Sequence, residues 1–165
     1  MAQLNDDEKR LVIGISGASG MLYAVRFIMA VPEEYHLHIV FSDVAVKVMK
    51  METGWDFRNV SFTEYIEKRY GRTIKSAALT FHKSQDHFAA IASGSFQVDG
   101  MAVVPCSMKT LAGIANGYAD TLTERAADVN LKEKRPVVLL VRETPYNRIH
   151  LKNMLAVTEA GGTIL

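Results

Sequence analysis

Two short stretches of this chain carry residue types that can hold an anion. Ser16-Gly17-Ala18-Ser19-Gly20 sets hydroxyls among glycines, and Cys106-Ser107-Met108-Lys109-Thr110 sets hydroxyls beside a lysine. Small side chains let a ligand approach main-chain N–H groups. Where a helix follows, its free amides and positive dipole end favour a negative group, most often a phosphate. A third stretch, Arg142-Glu143-Thr144-Pro145, offers a guanidinium for an anion and a carboxylate for proton transfer. Gly14, Gly17 and Gly20 do not form G-x-G-x-x-G, and no G-K-[ST] follows them, which argues against dinucleotide-binding and phosphate-loop domains. Ser19 reads equally as the N-cap of the coming helix and as a ligand contact, and one serine can be both.

The elements needed to position these residues are legible around them. Leu11-Val12-Ile13-Gly14-Ile15 has the length and β-branching of a buried strand, and Leu22, Val25, Phe27, Ile28 and Met29 are spaced like a helical stripe. Residues 36–41 read as a second strand, ended by Ser42-Asp43, where capping of a helix over 44–51 is the simpler role. His36 and His38 share a strand face with no third ligand nearby, so edge or surface histidines are expected rather than a metal site. Residues 62–70 read as a solvated helix stopped by Gly71, residues 73–82 as a region holding an excursion strand, and the aromatics from Trp55 to Phe88 as satellite core. Met101-Ala102-Val103-Val104-Pro105 reads as a buried strand ending on proline, then a helix over 111–118. Helical spacing continues over 120–131, residues 137–141 form an apolar strand, and residues 149–157 form an amphipathic helix. Alternating strands and helices predict an α/β, doubly wound parallel sheet in three layers, with the three chemistry-bearing loops at one edge.

Composition narrows the class further. The chain has 165 residues, enough for one domain with a substantial core, with 48% hydrophobic and 22% charged residues. A net charge of +1 favours neither nucleic acid nor an anionic membrane, and no apolar run approaches the ~20 residues of a bilayer span. Cys106 is the only cysteine, so neither an internal disulfide nor a cysteine zinc site can form, which suits a cytoplasmic protein. Cys106 has no base beside it and is read as packing. Residues 1–10 read as a disordered lead and 11–165 as one domain. The ending Gly161-Gly162-Thr163-Ile164-Leu165 reads as the start of a strand, so a further C-terminal segment is expected.

Taken together, Gly17-Ala18-Ser19-Gly20, Ser93-Gly94-Ser95, Pro105-Cys106-Ser107-Met108-Lys109-Thr110-Leu111, Glu124-Arg125-Ala126-Ala127-Asp128-Val129, Leu131-Lys132-Glu133, Arg142-Glu143-Thr144-Pro145 and Ile149-His150-Leu151-Lys152-Asn153-Met154-Leu155 match one family in order and spacing. Over residues 12–165 the chain closely resembles the flavin prenyltransferases, also called polyprenyl-hydroxybenzoate or phenolic-acid decarboxylases. Its wording at Pro105 to Leu111 is nearest the hydroxyarylic-acid decarboxylase branch of that family. The resemblance implies a flavodoxin-like, Rossmann-type sheet, bound FMN, a homododecamer and no metal. It implies transfer of a dimethylallyl group from dimethylallyl monophosphate to N5 and C6 of reduced FMN, the product serving a separate decarboxylase. Carried over, Gly17, Ala18, Ser19, Ser42, Ser107, Met108, Lys109, Thr110 and Arg142 would contact FMN. Ser19, Glu52 and Glu143 would surround the reacting edge, with Arg125, Lys132 and Arg142 near the prenyl phosphate. A phosphate-clamping tyrosine and a further basic residue would lie beyond Leu165.

That division of labour is physically sensible. An allylic phosphate ionises most easily when fixed cations and N–H dipoles hold the departing charge. Glu143, held by Arg142, could move protons, although Arg142-Glu143 alone also reads as a weak surface ion pair. Met21, Tyr23 or Met108 could form part of a dry wall. Two other readings share the cofactor: a cysteine-type flavin decarboxylase, whose P-A-S-A-N-T motif this chain lacks, and a non-catalytic FMN-binding subunit.

Overall fold

The computed structural model describes residues 8–75 and 78–165. Strands β1 (Lys9–Ile15), β2 (Tyr35–Phe41), β3 (Leu79–Lys83), β4 (Gly100–Cys106), β5 (Val137–Val141) and β6 (Thr163–Ile164) form a single sheet. Its order is β3-β2-β1-β4-β5-β6, and every pairing is parallel. This is the expected flavodoxin-like, Rossmann-type doubly wound sheet. The strand order reverses between β1 and β4, which places the ligand crevice of such sheets outside their carboxyl ends.

Side-chain alternation along the strands separates two cores. Ile13, Ile15, Leu37 and Ile39 pack under α1 (Met21–Ala30), α2 (Asp43–Thr53) and α3 (Phe62–Tyr70). Val12, Val40, Met101, Val103, Val137 and Leu139 pack under α4 (Met108–Ala115), α5 (Leu122–Lys132) and α6 (Arg148–Glu159). Helix starts follow side-chain chemistry: Ser42, Ser61 and Ser107 each accept a first-turn amide, while Thr121 and Asn147 close capping boxes. Gly54 and Gly71 end α2 and α3 with φ of 77° and 64°, where a side chain would be strained.

Several sequence expectations are corrected here. The expected disordered lead over 1–10 runs too far, because β1 starts at Lys9 and Arg10 is buried; residues 1–7 lie outside the described residues. Ordering there comes from pairing with β2 and from Asp99, whose carboxylate accepts the Arg10 N–H at 2.8 Å. The excursion strand is β3, which joins the main sheet as its parallel edge strand. Pro105 lies within β4, not at its end. A register shift between Val103 and Cys106 accommodates its missing donor.

His38 is not a plain edge or surface histidine. It is 7% exposed, its Nδ1 is hydrogen-bonded to His82 Nε2 at 3.0 Å, and it stacks between His36 and His82. Burial, followed by the charges of His36 and His82, pushes its pKa down to about 4. Among the described residues no cluster suits a metal, and no helix is long and apolar enough to cross a membrane.

Candidate functional site

The carboxyl ends of four strands are tied together by their own backbones. Ser16, just past β1, donates both its N–H (3.2 Å) and its hydroxyl (2.9 Å) to the Pro105 carbonyl. The same Ser16 oxygen accepts the Ser107 N–H at 2.7 Å. Ser42 N–H reaches the Ile15 carbonyl, and Arg142 N–H reaches the Cys106 carbonyl, both at 3.0 Å. The loops bearing Gly17, Ala18 and Ser19, then Ser42, then Ser107, Met108, Lys109 and Thr110, then Arg142 and Glu143 therefore share one rim. Ser16 itself is 2% exposed, so it serves as a bracket between β1 and β4 and not as a ligand hydroxyl.

Helix α1 begins without a cap of its own. Its N-cap is Gly20, at φ 102°, with no side-chain cap and no acidic residue in the first turn. Ser19 is thus not the N-cap. The negative group is Glu52, at the end of α2, whose carboxylate accepts the Gly20 N–H at 3.0 Å, the Met21 N–H at 2.8 Å and the Ser19 hydroxyl at 2.6 Å. Partial burial pushes the Glu52 pKa up, but the Ser19 hydroxyl, the two amides and the Arg142 charge outweigh it and hold the carboxyl below its usual range. The α1 terminus expected to receive a phosphate already holds a carboxylate.

An open anion position exists elsewhere on the rim. Ser107 caps the Thr110 N–H of α4, at 3.3 Å, while the Met108 and Lys109 amides have no partner among the described residues. The Arg142 guanidinium is likewise without a hydrogen bond or ion pair there; it lies 5.9 Å from the Tyr23 ring centroid. Its Nε would be 3.3 Å from a Cβ built on Gly20, so a side chain at that position would crowd it. Unspent amides, a cap hydroxyl and a guanidinium whose N–H groups make no hydrogen bond among the described residues fit an anionic ligand such as a flavin phosphate.

Other expected site residues stand differently. Glu143 does not pair with Arg142; its Oε1 accepts the adjacent Thr144 N–H at 3.1 Å, because the chain turns away after β5. Arg125 is engaged by Asp128 at 2.9 Å and by the Ala92 carbonyl at 3.2 Å. Lys132 is paired with Glu133 at the C-terminal end of α5, beside Gly94. Lys132 ends α5 ahead of β5, whereas Arg142 follows β5, so the strand separates the two along the chain. Met21 is fully buried in the core and supplies no pocket wall, whereas Tyr23 is half exposed. Cys106 is fully buried and its thiol is pushed up to about 12, chiefly by that burial, which fits packing and not nucleophilic attack. Gly17 admits no Cβ because Val44 Cγ1 lies 2.5 Å from where one would stand; it lets α2 approach the loop.

Sequence reasoning missed Ser16 as a bracket and Gly20 as the cap position. A signal for a remote carboxylate does exist in the sequence: a helix whose first turn, Met21-Leu22-Tyr23, has neither an acid nor a capping hydroxyl of its own.

A flavoprotein family profile matches residues 2–165. The flavin prenyltransferase UbiX of Escherichia coli (strain K12) is 42% identical over 159 residues, covering 95% of this chain and 77% of that protein. The chain belongs to the flavin prenyltransferase family. A family structure described as AnUbiX (PadA1) in complex with FMN and dimethylallyl pyrophosphate superposes with TM-score 0.81 at 40% identity, covering 95% of this chain and 77% of the other. A dodecameric FMN-dependent UbiX-like decarboxylase from Escherichia coli O157:H7 gives TM-score 0.80 at 41% identity, covering 94% and 78%.

Proposed function

We propose that this flavin prenyltransferase family member joins a dimethylallyl group from dimethylallyl monophosphate to N5 and C6 of reduced FMN, making prenylated FMN for a separate aromatic-acid decarboxylase. The observation that carries the reading is the Arg142 guanidinium, without an ion pair among the described residues, beside the Ser19–Glu52 hydrogen bond. Reduced FMN held there would supply the nucleophilic edge that takes the prenyl group.

The chain's own groups divide the remaining work. Gly17, Ala18 and Ser42 shape the wall. Ser107, Met108, Lys109 and Thr110 offer amides and hydroxyls to an anion, and Arg142 adds charge-assisted hydrogen bonds. Ser19 orients, and is oriented by, the ionised Glu52, so its hydroxyl is held in one direction. Glu143, exposed at the rim, is the proton carrier. Arg125 is held by Asp128 and the Ala92 carbonyl, and Lys132 by Glu133, so neither contacts Arg142 of its own chain. In a homododecamer a neighbouring copy's α5 would bring them to this rim to hold the departing phosphate. We read the described residues as one FMN-binding domain working in the cytoplasm without a metal.

The test is incubation of purified protein with reduced FMN and either dimethylallyl monophosphate or the pyrophosphate. A flavin adduct by mass spectrometry with the monophosphate supports the proposal. FMN binding without an adduct from either donor rejects it and leaves a flavin-holding subunit.

A further inference from the structure

The regular ladder between β1 and β4 stops short of the rim. Its last paired positions are Gly14 and Val103. On the other side β4 slips register against β5 between Val103 and Cys106, where Pro105 has no N–H to give. The segment leading into α4 is therefore held by few ladder bonds, and Ser16 supplies three more. Its N–H and its hydroxyl both go to the Pro105 carbonyl, at 3.2 and 2.9 Å, and its oxygen takes the Ser107 N–H at 2.7 Å, the shortest of the three.

One hydroxyl thus acts in two directions. By donating to the Pro105 carbonyl it turns its lone pairs toward Ser107, whose amide has no other acceptor among the described residues. Ser107 is the N-cap of α4, in extended backbone. An anchor on its amide fixes the peptide from which the helix starts, and the Met108 and Lys109 N–H groups follow directly. Those two are the amides left open at the helix start. Ser16, at 2% exposed, touches no ligand itself, so any influence on one passes through Ser107.

We infer that Ser16 is a positioning residue for the flavin phosphate: through the Ser107 amide it aims the Met108 and Lys109 N–H groups, and so sets the preference for a phosphorylated flavin over one without phosphate. The inference deepens the function proposed above and rests on its reading of the α4 start as the place of the phosphate. Loosening of the sheet as a whole would weaken every flavin alike. A misaimed pair of amides costs only the ligand whose charge they meet.

The test titrates flavin-free full chain with FMN and with riboflavin, which differ only in the phosphate, and follows flavin fluorescence. The parent should prefer FMN. Ser16→Ala should weaken FMN about tenfold and leave riboflavin within about twofold, whereas Ser16→Thr, which keeps the hydroxyl, should hold the parent's preference. If the alanine variant does not fold, Ser16→Cys fills the same space with a weak acceptor and should show the same selective loss. An unchanged ratio of the two affinities in these variants, or an equal loss of both flavins, overturns the role of Ser16, as does loss of the preference in Ser16→Thr. A parent that binds both flavins equally overturns the placement of the phosphate at α4, and the inference with it.

Discussion

The Ser19 hydroxyl donates a 2.6 Å hydrogen bond to a carboxylate 33 residues away, that of Glu52. Because Glu52 also takes the Gly20 and Met21 amides, it caps α1 from another helix. Glu52→Ala should lower stability by about 1–2 kcal/mol, and Glu52→Gln by less, since the amide oxygen keeps an acceptor while losing the charge on the dipole. Urea denaturation reads both. The folded-state pKa of Glu52 is lowered, so its contribution is complete above the ordinary glutamate pKa and fades as pH falls through the lowered value. An Ala variant as stable as the parent at neutral pH would dismiss the capping role.

Gly17 offers a way to separate packing from ligand contact. A methyl there would press on Val44, so Gly17→Ala should cost about 1–3 kcal/mol. Pairing it with Val44→Ala should recover most of that loss in a thermal melt. If the recovered double variant still binds FMN normally by flavin fluorescence, the glycine serves the approach of α2 and not the approach of the cofactor.

The Arg142 guanidinium makes no ion pair or hydrogen bond on the rim among the described residues, although its charge acts on Glu52. Arg142→Met should weaken FMN binding about 10- to 100-fold while the melting temperature stays nearly unchanged, because no structural ion pair is lost. Tyr23→Leu removes the ring 5.9 Å from the guanidinium and should cost less, about two- to fivefold, with Tyr23→Phe close to the parent. Flavin fluorescence titration ranks the three. Equal affinity of Arg142→Met and the parent would place the anion elsewhere.

Buried His38, hydrogen-bonded to half-buried His82, makes stability fall with acid. His38 has its folded pKa lowered to about 4 by burial first, while the unfolded chain takes up that proton near 6.5. The unfolded state binds more protons between those values, so stability is full above about 6.5 and declines as pH drops toward 4, by about 1–3 kcal/mol. His82, also lowered mainly by burial, acts in the same direction. Denaturation midpoints measured across that window should show the decline, and His38→Gln should flatten it. An unchanged slope in the variant would move the effect to another group.

Legibility in the sequence follows the range of the interaction. The buried strand at Val137–Val141 is legible to the residue, because five consecutive apolar residues between a charge run and Arg142-Glu143 leave few alternatives. The cap Ser42 is readable for the same local reason, whereas α4 begins at Met108 under the Ser107 cap, three residues before the helix expected over 111–118. Contacts bridging distant positions leave no spacing to read: Ser19 with Glu52, His38 with His82 at a separation of 44, and Ser16 with Ser107 at 91. The pairing expected of Arg142 and Glu143 does not form because adjacent residues leaving a strand diverge.

The crossed hydrogen bonds joining residues 15 and 16, 42, 106 and 107, and 142 make the mouth of the crevice behave as a single plate. Swapping a side chain on that plate retunes what it grips, whereas adding one residue to any of its loops shears several strands out of step together. Variation that preserves the enzyme should therefore arrive as changes of identity at fixed loop length.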